Sequence, residues 1–281
     1  MKKLILVVIP TMENAYHSLQ DFVAINPPIG LASVAATAEK AGYKVSIIDG
    51  DALQFTLDQT VQRIVDLSPD YVGSTVMTAT MDITQIFYEK LKAKLPNITV
   101  IVGGPHVSAL PEQTLRDSQN IDISVIGEGD ETIVDILGAL DRNADLKNVA
   151  GIAYRNNGQI TITGTRLPIK DLSVLPLPAF HLLNYTLYRS YGWNKWVNGY
   201  RKPLGIIFTG RGCIGKCNFC AAHSVFGHGI RYFTIRQIKD QLDYLVNNWG
   251  IRVLYFQDDT FTANRKIVNE ICDYIIEKGY N

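Results

Sequence analysis

Short apolar runs alternate with helical repeats of apolar residues through the first 140 positions of the chain. Runs without a polar face are typical of strands buried in parallel sheets, and they predict strands at 4–9, 45–48, 71–76, 98–102 and 121–126. Apolar residues at helical spacing predict helices at 28–41, 57–67, 83–91, 111–116 and 131–140. Five strands alternating with five helices predict an α/β fold with a doubly wound parallel sheet.

Glycines and small polar residues follow three of these strands. Ligands of doubly wound sheets bind beyond the carboxyl ends of the strands, and glycine there lets a ligand approach the backbone closely. The candidate ligand-binding residues are Ser74, Thr75, Gly103, Gly104, Pro105, His106, Gly127, Glu128 and Gly129. Ordinary tight turns would use the same residues. No G-x-G-x-x-G motif follows the first strand, which argues against a dinucleotide ligand.

The pattern changes after residue 145. Two short strands at 152–155 and 159–163, joined through Asn156-Asn157-Gly158, predict a β-hairpin. An apolar, proline-bearing stretch at 167–200 is too apolar for a free spacer, so we expect a linker packed against both neighbours. Apolar runs predict further strands at 204–209 and 253–256. The predicted domains are 1–145, a hairpin and linker at 146–200, and a last unit at 201–281.

Composition and charge narrow the class of protein. Hydrophobic residues make up 47% of the 281 positions and charged residues 19%, which excludes a disordered chain. The 27 basic residues balance 27 acidic ones, so no overall charge favours nucleic acid or an anionic membrane. The apolar run at 4–9 is too short for a signal peptide, and no window reaches the ~18 apolar residues of a membrane span. These features predict a soluble cytoplasmic protein.

Three of the four cysteines lie close together on a glycine-bearing loop. Cys213, Cys217 and Cys220 form a C-x3-C-x2-C motif, whose thiolates can converge on one metal centre. Two centres fit this spacing: a zinc site completed by His223, or a 4Fe–4S cluster with one iron open to an outside ligand. Cys272 lies among apolar residues of a predicted carboxy-terminal helix, where we expect it to pack as a small hydrophobic side chain.

The cysteine motif, with Phe219 before its last cysteine, resembles that of the radical S-adenosylmethionine (SAM) superfamily. The resemblance implies that the three cysteines hold a 4Fe–4S cluster whose open iron binds SAM, and that Phe219 lies beside the adenine. It also implies that the last unit is the first part of a partial (β/α) barrel. A second motif at 257–261 resembles one that approaches the methionyl end of SAM, which makes Asp258 and Asp259 candidate SAM-binding residues. Alternatively, these two aspartates cap a helix beginning near Ala263.

Three motifs of the first half resemble a second domain. Pro27-Pro28-Ile29-Gly30-Leu31, Gly103-Gly104-Pro105-His106 and Gly127-Glu128-Gly129-Asp130-Glu131-Thr132 are similar to motifs of the Rossmann-like cobalamin-binding domain in cobalamin-type radical SAM enzymes. The stretch 171–178 resembles the junction that follows this domain. His17 lacks the D-x-H-x-x-G context of a cobalt ligand, so the resemblance implies cobalamin bound without a histidine on cobalt. The family includes methyltransferases and the anaerobic ring cyclase of bacteriochlorophyll synthesis.

The resemblance also implies a reaction. SAM is cleaved reductively to methionine and a 5′-deoxyadenosyl radical, which abstracts hydrogen from a small-molecule substrate, and methylcobalamin then delivers a methyl group. A reductant such as flavodoxin or ferredoxin supplies the electron. From Gly205 onward the chain has room for about two and a half strand–helix units, at about 31 residues each, fewer than the family's partial barrel uses. Two other hypotheses stay open: a zinc-stabilised, non-catalytic binding module, and an inactive fragment of the enzyme.

Overall fold

Seven strands form one mostly parallel sheet in the amino-terminal half of the computed structural model, which describes residues 1–11, 24–156, 158–188 and 203–280. The strands are β1 Lys3–Val8, β2 Lys44–Asp49, β3 Tyr71–Thr75, β4 Thr99–Gly103, β5 Ile123–Val125, β6 Ile152–Asn156 and β7 Gln159–Ile162. Their order across the sheet is β2-β1-β3-β4-β5-β6-β7, and β1 to β5 are parallel. The predicted doubly wound α/β fold is confirmed.

Helices cover both faces of this sheet. They are α1 Ile29–Lys40, α2 Leu57–Leu67, α3 Met81–Lys94, α4 Pro105–Ala109, α5 Pro111–Asp117 and α6 Gly129–Asp141. Successive side chains of a strand point to opposite faces. Leu4 and Leu6 of β1 therefore pack with α1 and α6, whereas Ile5 and Val7 pack with α2 and α3. Each fully buried aliphatic side chain of this kind contributes about 1.5–3 kcal/mol.

The predicted hairpin belongs to the same sheet. β6 pairs with β5 in antiparallel register, with Tyr154 opposite Ile123, and β7 pairs with β6. The sequence predicted a complete sheet of five strands within 1–145, but the sheet continues to residue 162. The reason is burial: Ile152 and Tyr154 complete the apolar layer on one face of the sheet and Ala153 the layer on the other. Residue 157 of the predicted turn lies outside the described residues.

The carboxy-terminal half contains a βαβ unit. Its elements are β8 Leu204–Ile207, β9 Gly210–Arg211, α7 Ala222–Phe226, β10 Arg231–Tyr232, α8 Ile235–Trp249, β11 Val253–Phe256 and α9 Arg265–Glu277. β8 and β11 pair in parallel, and α8 provides the crossover that parallel strands need. A capping box of Thr234 and Gln237 starts α8, and Gly250 ends it in the left-handed conformation. None of the helices in the described ranges has the length and apolarity needed to cross a bilayer.

One apolar core joins the two halves of the chain. It contains Ile29 and Ala32 of α1, three aromatic side chains of the linker, and the inner side chains of β8 and α8. The linker aromatics are Phe180, Tyr185 and Tyr188, all buried. The linker, as far as the structure describes it, therefore packs against both halves, as its apolar composition predicted.

Candidate functional site

The predicted ligand-binding residues lie together at the carboxyl ends of three neighbouring parallel strands, β3, β4 and β5. The strand order reverses between β1 and β3, the place where doubly wound sheets bind ligands. Ser74 of β3 is buried and accepts a hydrogen bond from the Tyr88 hydroxyl at 2.7 Å, whereas Thr75 is exposed. Thr75 lies opposite Gly103 of β4 in the parallel register. Gly127, after β5, donates its N–H to the side chain of Ser108 at 3.0 Å.

The Gly103-Gly104-Pro105-His106 segment turns sharply from β4 into α4. Gly104 has a φ of +100°, and a Cβ there would lie 2.9 Å from the Val76 carbonyl oxygen, so glycine is required. His106 is buried, and its Nδ1 lies 3.1 Å from the Thr78 hydroxyl. Its Nε2 has no hydrogen-bond partner in the described part of the chain. A ligand atom could supply the bond that this buried nitrogen lacks.

The Gly127-Glu128-Gly129 turn contacts the carboxy-terminal half. Glu128 is buried, and its carboxylate accepts hydrogen bonds from Arg211 at 3.1 Å, from Arg231 at 2.9 Å and from the Ile169 N–H at 2.7 Å. Both carboxylate oxygens are therefore engaged between the two halves of the chain. This role of Glu128 differs from the ligand contact that the sequence predicted for it.

The three predicted cluster ligands lie on the loop after β9. Cys213 is partly buried, whereas Cys217 and Cys220 are exposed. The Cys213 sulfur accepts the Gly215 N–H at 3.2 Å and lies 3.2 Å from the Thr260 hydroxyl. A Cβ on Gly215 would lie 3.3 Å from the Cys213 sulfur and 3.7 Å from the Cys217 sulfur, so these two thiols flank the same glycine. Within the described ranges, no three Cys, His, Asp or Glu side chains are grouped closely enough to hold a metal ion.

His223, the alternative zinc ligand, has a backbone carbonyl oxygen close to each of its ring nitrogens. Nε2 lies 2.7 Å from the Gly215 carbonyl oxygen and Nδ1 lies 3.2 Å from that of Gly227. The ring also stacks on His228 with centroids 3.9 Å apart. A neutral imidazole donates through one nitrogen only, but a carbonyl oxygen lies close to each ring nitrogen, where a zinc ion would have to bind. In this arrangement His223 does not complete a closed tetrahedral zinc site. A set of three soft thiolates fits a 4Fe–4S cluster with one open iron better.

Cys272 is exposed, and the prediction that it packs as a small hydrophobic side chain is wrong. The buried stripe of α9 passes through Ile271, which is 1% exposed, and through the partly buried Ile267, Tyr274 and Ile275. Positions three and four residues apart share a helix face, so Cys272 lies one position beyond that stripe. Its apolar sequence neighbours concealed this offset.

Asp258 follows β11 and holds the end of β8. Its carboxylate accepts the backbone N–H of Thr209 at 2.9 Å, the Thr209 hydroxyl at 2.7 Å and the Gly210 N–H at 2.8 Å. Burial raises the pKa of Asp258 above its ordinary value, although the hydrogen bonds oppose this by favouring the charged form. Asp258 therefore fixes the backbone from which the cysteine loop departs.

The predicted helix-capping role of Asp258 and Asp259 is wrong. Asn264 caps α9, because its side-chain oxygen accepts the backbone N–H groups of Lys266 and Ile267. Asp259 is exposed. Phe219, the residue expected beside adenine, is 92% exposed. A large apolar side chain so exposed next to the cysteines is available to contact a ligand.

Sequence reasoning missed a buried cluster of charged side chains beside the cysteine loop. Arg211 donates to both carboxylate oxygens of Asp130, at 2.7 and 3.1 Å, and to the Ser33 hydroxyl at 3.0 Å. Burial alone would raise the pKa of Asp130, but the Arg211 guanidinium holds it below its ordinary value. The available signal was the acidic Gly-Glu-Gly-Asp motif together with arginines beside the cysteine motif, although their pairing spans at least 81 residues of sequence.

Two family models match this chain. The B12 binding domain matches residues 20–137, and the Radical SAM superfamily matches residues 207–280. The first range includes all three predicted strand-end segments. The second includes the cysteine loop and β11.

Named proteins resemble nearly the whole chain. An uncharacterised methyltransferase of Pyrococcus horikoshii is 32% identical over 98% of this chain and 57% of its own length. An anaerobic magnesium-protoporphyrin IX monomethyl ester cyclase of Synechocystis is 27% identical over 90% of this chain and 49% of its own length. The chain thus spans about half the length of these curated relatives.

A solved structure shares the fold. The radical SAM methyltransferase TsrM of Kitasatospora setae, determined with cobalamin and a [4Fe-4S] cluster bound, matches with a TM-score of 0.74 at 18% identity. The match covers 99% of this chain and 53% of that one. Together with the two family models, this likeness confirms the predicted pairing of a Rossmann-like unit with a radical SAM unit. The chain therefore combines a B12-binding domain with a radical SAM superfamily domain.

Proposed function

We propose that this chain binds a 4Fe–4S cluster, SAM and cobalamin, and that it takes part in radical-mediated methyl transfer to carbon. The observation that carries the proposal is the cysteine loop, which has three thiols, two of them flanking Gly215. The candidate fourth ligand, His223, has a backbone carbonyl oxygen close to each ring nitrogen. A reduced cluster held by these thiols would supply one electron to SAM, whose sulfur–carbon bond would break to give methionine and a 5′-deoxyadenosyl radical. The protein's own residues orient these groups.

Several residues of the carboxy-terminal half position this chemistry. Cys213, Cys217 and Cys220 would ligate the cluster, and the Gly215 N–H already donates to the Cys213 sulfur. Hydrogen bonds to a ligating sulfur tune the potential of an iron–sulfur cluster. Phe219 and Asp259, both exposed, are proposed to contact SAM. Asp258 acts indirectly, since its carboxylate already accepts hydrogen bonds from the backbone N–H groups of Thr209 and Gly210.

We propose that cobalamin binds at the carboxyl ends of the strands in the first sheet. The proposed binding unit covers residues 1–145, and strands β6 and β7 complete its sheet. The contacts would come from Ser74, Thr75, Gly103, Gly104, Pro105, His106, Gly127 and Gly129. His106 brings a buried, unpaired Nε2 to this edge. Glu128 joins the two halves and is proposed to act through its arginine partners. His17 lies outside the described residues.

We also propose a reaction type, a class of substrate and an electron donor. A methyltransferase and a cyclase are both among the relatives, and we favour methyl transfer because the relative at 32% identity and the matching solved structure both carry that name. The proposed substrate is a small molecule. The proposed electron donor is a cytoplasmic reductant such as flavodoxin or ferredoxin.

The test is anaerobic iron–sulfur reconstitution of the 281-residue chain. We expect about four irons per chain and an electron paramagnetic resonance (EPR) signal of a reduced 4Fe–4S cluster. Cys217→Ala should abolish both, because it removes one of only three ligands. Cys272→Ala is the matched control, since Cys272 is also an exposed cysteine, and it should retain both. Tightly bound zinc that iron does not displace, with no cluster signal in the wild-type chain, would overturn the proposal.

A further inference from the structure

Two arginines face each other at the base of the cysteine loop. β9 and β10 form a short antiparallel ladder in which Arg211 lies directly opposite Arg231. Like charges placed opposite each other across strands destabilise a ladder. Both side chains are also largely buried, with 11% and 16% of their surface exposed, so water screens the repulsion poorly. This ladder needs counter-ions.

The counter-ions come from the other half of the chain. Glu128 accepts from both arginines and is 2% exposed, and Asp130 accepts from Arg211 and is 4% exposed. Two carboxylates thus neutralise two guanidinium groups in a buried arginine–carboxylate cluster of Glu128, Asp130, Arg211 and Arg231. The carboxylates lie in the turn and first helical residues after β5, far from the arginines in sequence.

The ladder leads directly into the first cysteine. Gly212 has a φ of +88°, and a Cβ there would collide with the Gly229 carbonyl oxygen, so the two strands stay in close contact beyond Arg211. The backbone of Cys213 then pairs with that of His228 in an isolated β-bridge, and the Gly229 N–H donates to the Cys213 carbonyl oxygen at 3.1 Å. The backbone position of Cys213 is therefore set by the same ladder that carries the two arginines.

We propose that Glu128 and Asp130 of the B12-binding half are positioning residues for the iron–sulfur loop, so that the loop reaches its ligating conformation only with these carboxylates in place. The inference rests on the proposed function, because it assumes that the cysteine loop holds a cluster. It assigns the Gly-Glu-Gly-Asp motif a task other than contact with cobalamin. The cluster loop is accordingly a feature of the whole chain and not of the radical SAM unit alone.

The test compares full-length variants after anaerobic reconstitution. Glu128→Gln and Asp130→Asn should lower bound iron to a minor fraction of the wild-type value, because loss of one partner from a buried ion pair shifts a conformational equilibrium by roughly 100-fold or more. Asp122→Asn is the matched control: it removes a carboxylate from a partly buried ion pair with Lys92 in the same half of the chain. Iron in Asp122→Asn should stay at the wild-type value.

Two further readouts separate positioning from general damage. Hydroxocobalamin titration followed by absorbance should give wild-type affinity in Glu128→Gln, since Glu128 acts on the cysteine loop. The double variant Glu128→Gln/Arg231→Gln should recover iron relative to Glu128→Gln, because it removes one of the two facing charges. If Glu128→Gln does not fold, Arg231→Gln alone is informative, and it should retain more iron than Asp130→Asn.

Several outcomes would overturn the inference. One is that both carboxylate variants keep the wild-type iron content and an unchanged EPR line shape with SAM. Another is that the double variant fails to recover iron. A third is that Glu128→Gln binds cobalamin more weakly than the wild-type chain. Failure of the proposed function looks different, because the wild-type chain itself would then bind no cluster. The wild-type measurement therefore comes first.

Discussion

Asp49 offers a quantitative test of the structure through the pH dependence of stability. It ends β2 and is 6% exposed, and its carboxylate accepts the Ala52 N–H at 2.9 Å and a hydrogen bond from Tyr188. Burial raises the pKa of Asp49 from 3.8 to about 6, with a smaller contribution from the neighbouring Asp51 carboxylate. The folded protein therefore binds this proton more tightly than the unfolded chain does.

The sign and size of the effect follow by linkage. A raised pKa contributes stability that is fully present below pH 3.8 and is lost as pH rises through about 6. At about 1.4 kcal/mol per pKa unit, the loss amounts to ~3 kcal/mol by pH 7. Asp49→Asn keeps the shape of the side chain without the charge. Relative to wild type, the variant should therefore gain about 2.4 kcal/mol in free energy of unfolding between pH 4 and pH 7, since part of the effect is already present at pH 4.

The assay is urea unfolding followed by circular dichroism at several pH values from 4 to 8. Subtracting the wild-type curve from the variant curve cancels the titration of all other groups. Asp82→Asn, at an exposed position of α3, serves as the control for removing a carboxylate that is not buried. Parallel pH profiles for wild type and Asp49→Asn would refute the assigned burial and protonation of Asp49.

Two further substitutions test the turn after β4 and the contact that holds β8. Gly104→Ala should destabilise the chain by about 2 kcal/mol or more in urea unfolding, because its φ is +100° and a Cβ would meet the Val76 carbonyl oxygen, whereas Gly103→Ala, with ordinary contact at 3.6 Å, should change little. Asp258→Asn should cost about 2 kcal/mol and reduce bound iron, since an amide replaces a charged acceptor of three hydrogen bonds, while the exposed Asp259→Asn should leave the free energy of unfolding unchanged.

The parts of the fold that the sequence predicted are those set by local pattern. β1 to β4 are apolar runs with Gly, Pro or Asp at their ends, and strands of a parallel sheet need burial on both faces. The observed bounds of these four strands differ from the predicted ones by at most one residue. The position of the cysteine loop was predictable for the same reason, because its ligands are neighbours in sequence.

The features that sequence reasoning missed depend on contacts between distant residues. The five-residue helix α4 begins at Pro105 because Gly104 adopts a positive φ against β3, a contact that no local pattern shows. The hairpin joins the sheet through a register set by Tyr154 opposite Ile123. The arginine–carboxylate cluster joins segments 81 to 103 residues apart, so the acidic glycine motif alone did not identify the arginines that pair with it.

The carboxylates of the arginine–carboxylate cluster precede its arginines in the sequence, which bears on the order in which the two halves of the chain fold. Glu128 and Asp130 follow β5, in a sheet in which each strand from β4 to β7 pairs with the strand made just before it. A growing chain generally folds its domains in order from the amino terminus. Arg211 and Arg231 are synthesised later and meet carboxylates already held by a finished sheet. We therefore expect that a circular permutant beginning at residue 203 would make the β9–β10 ladder before its counter-ions exist.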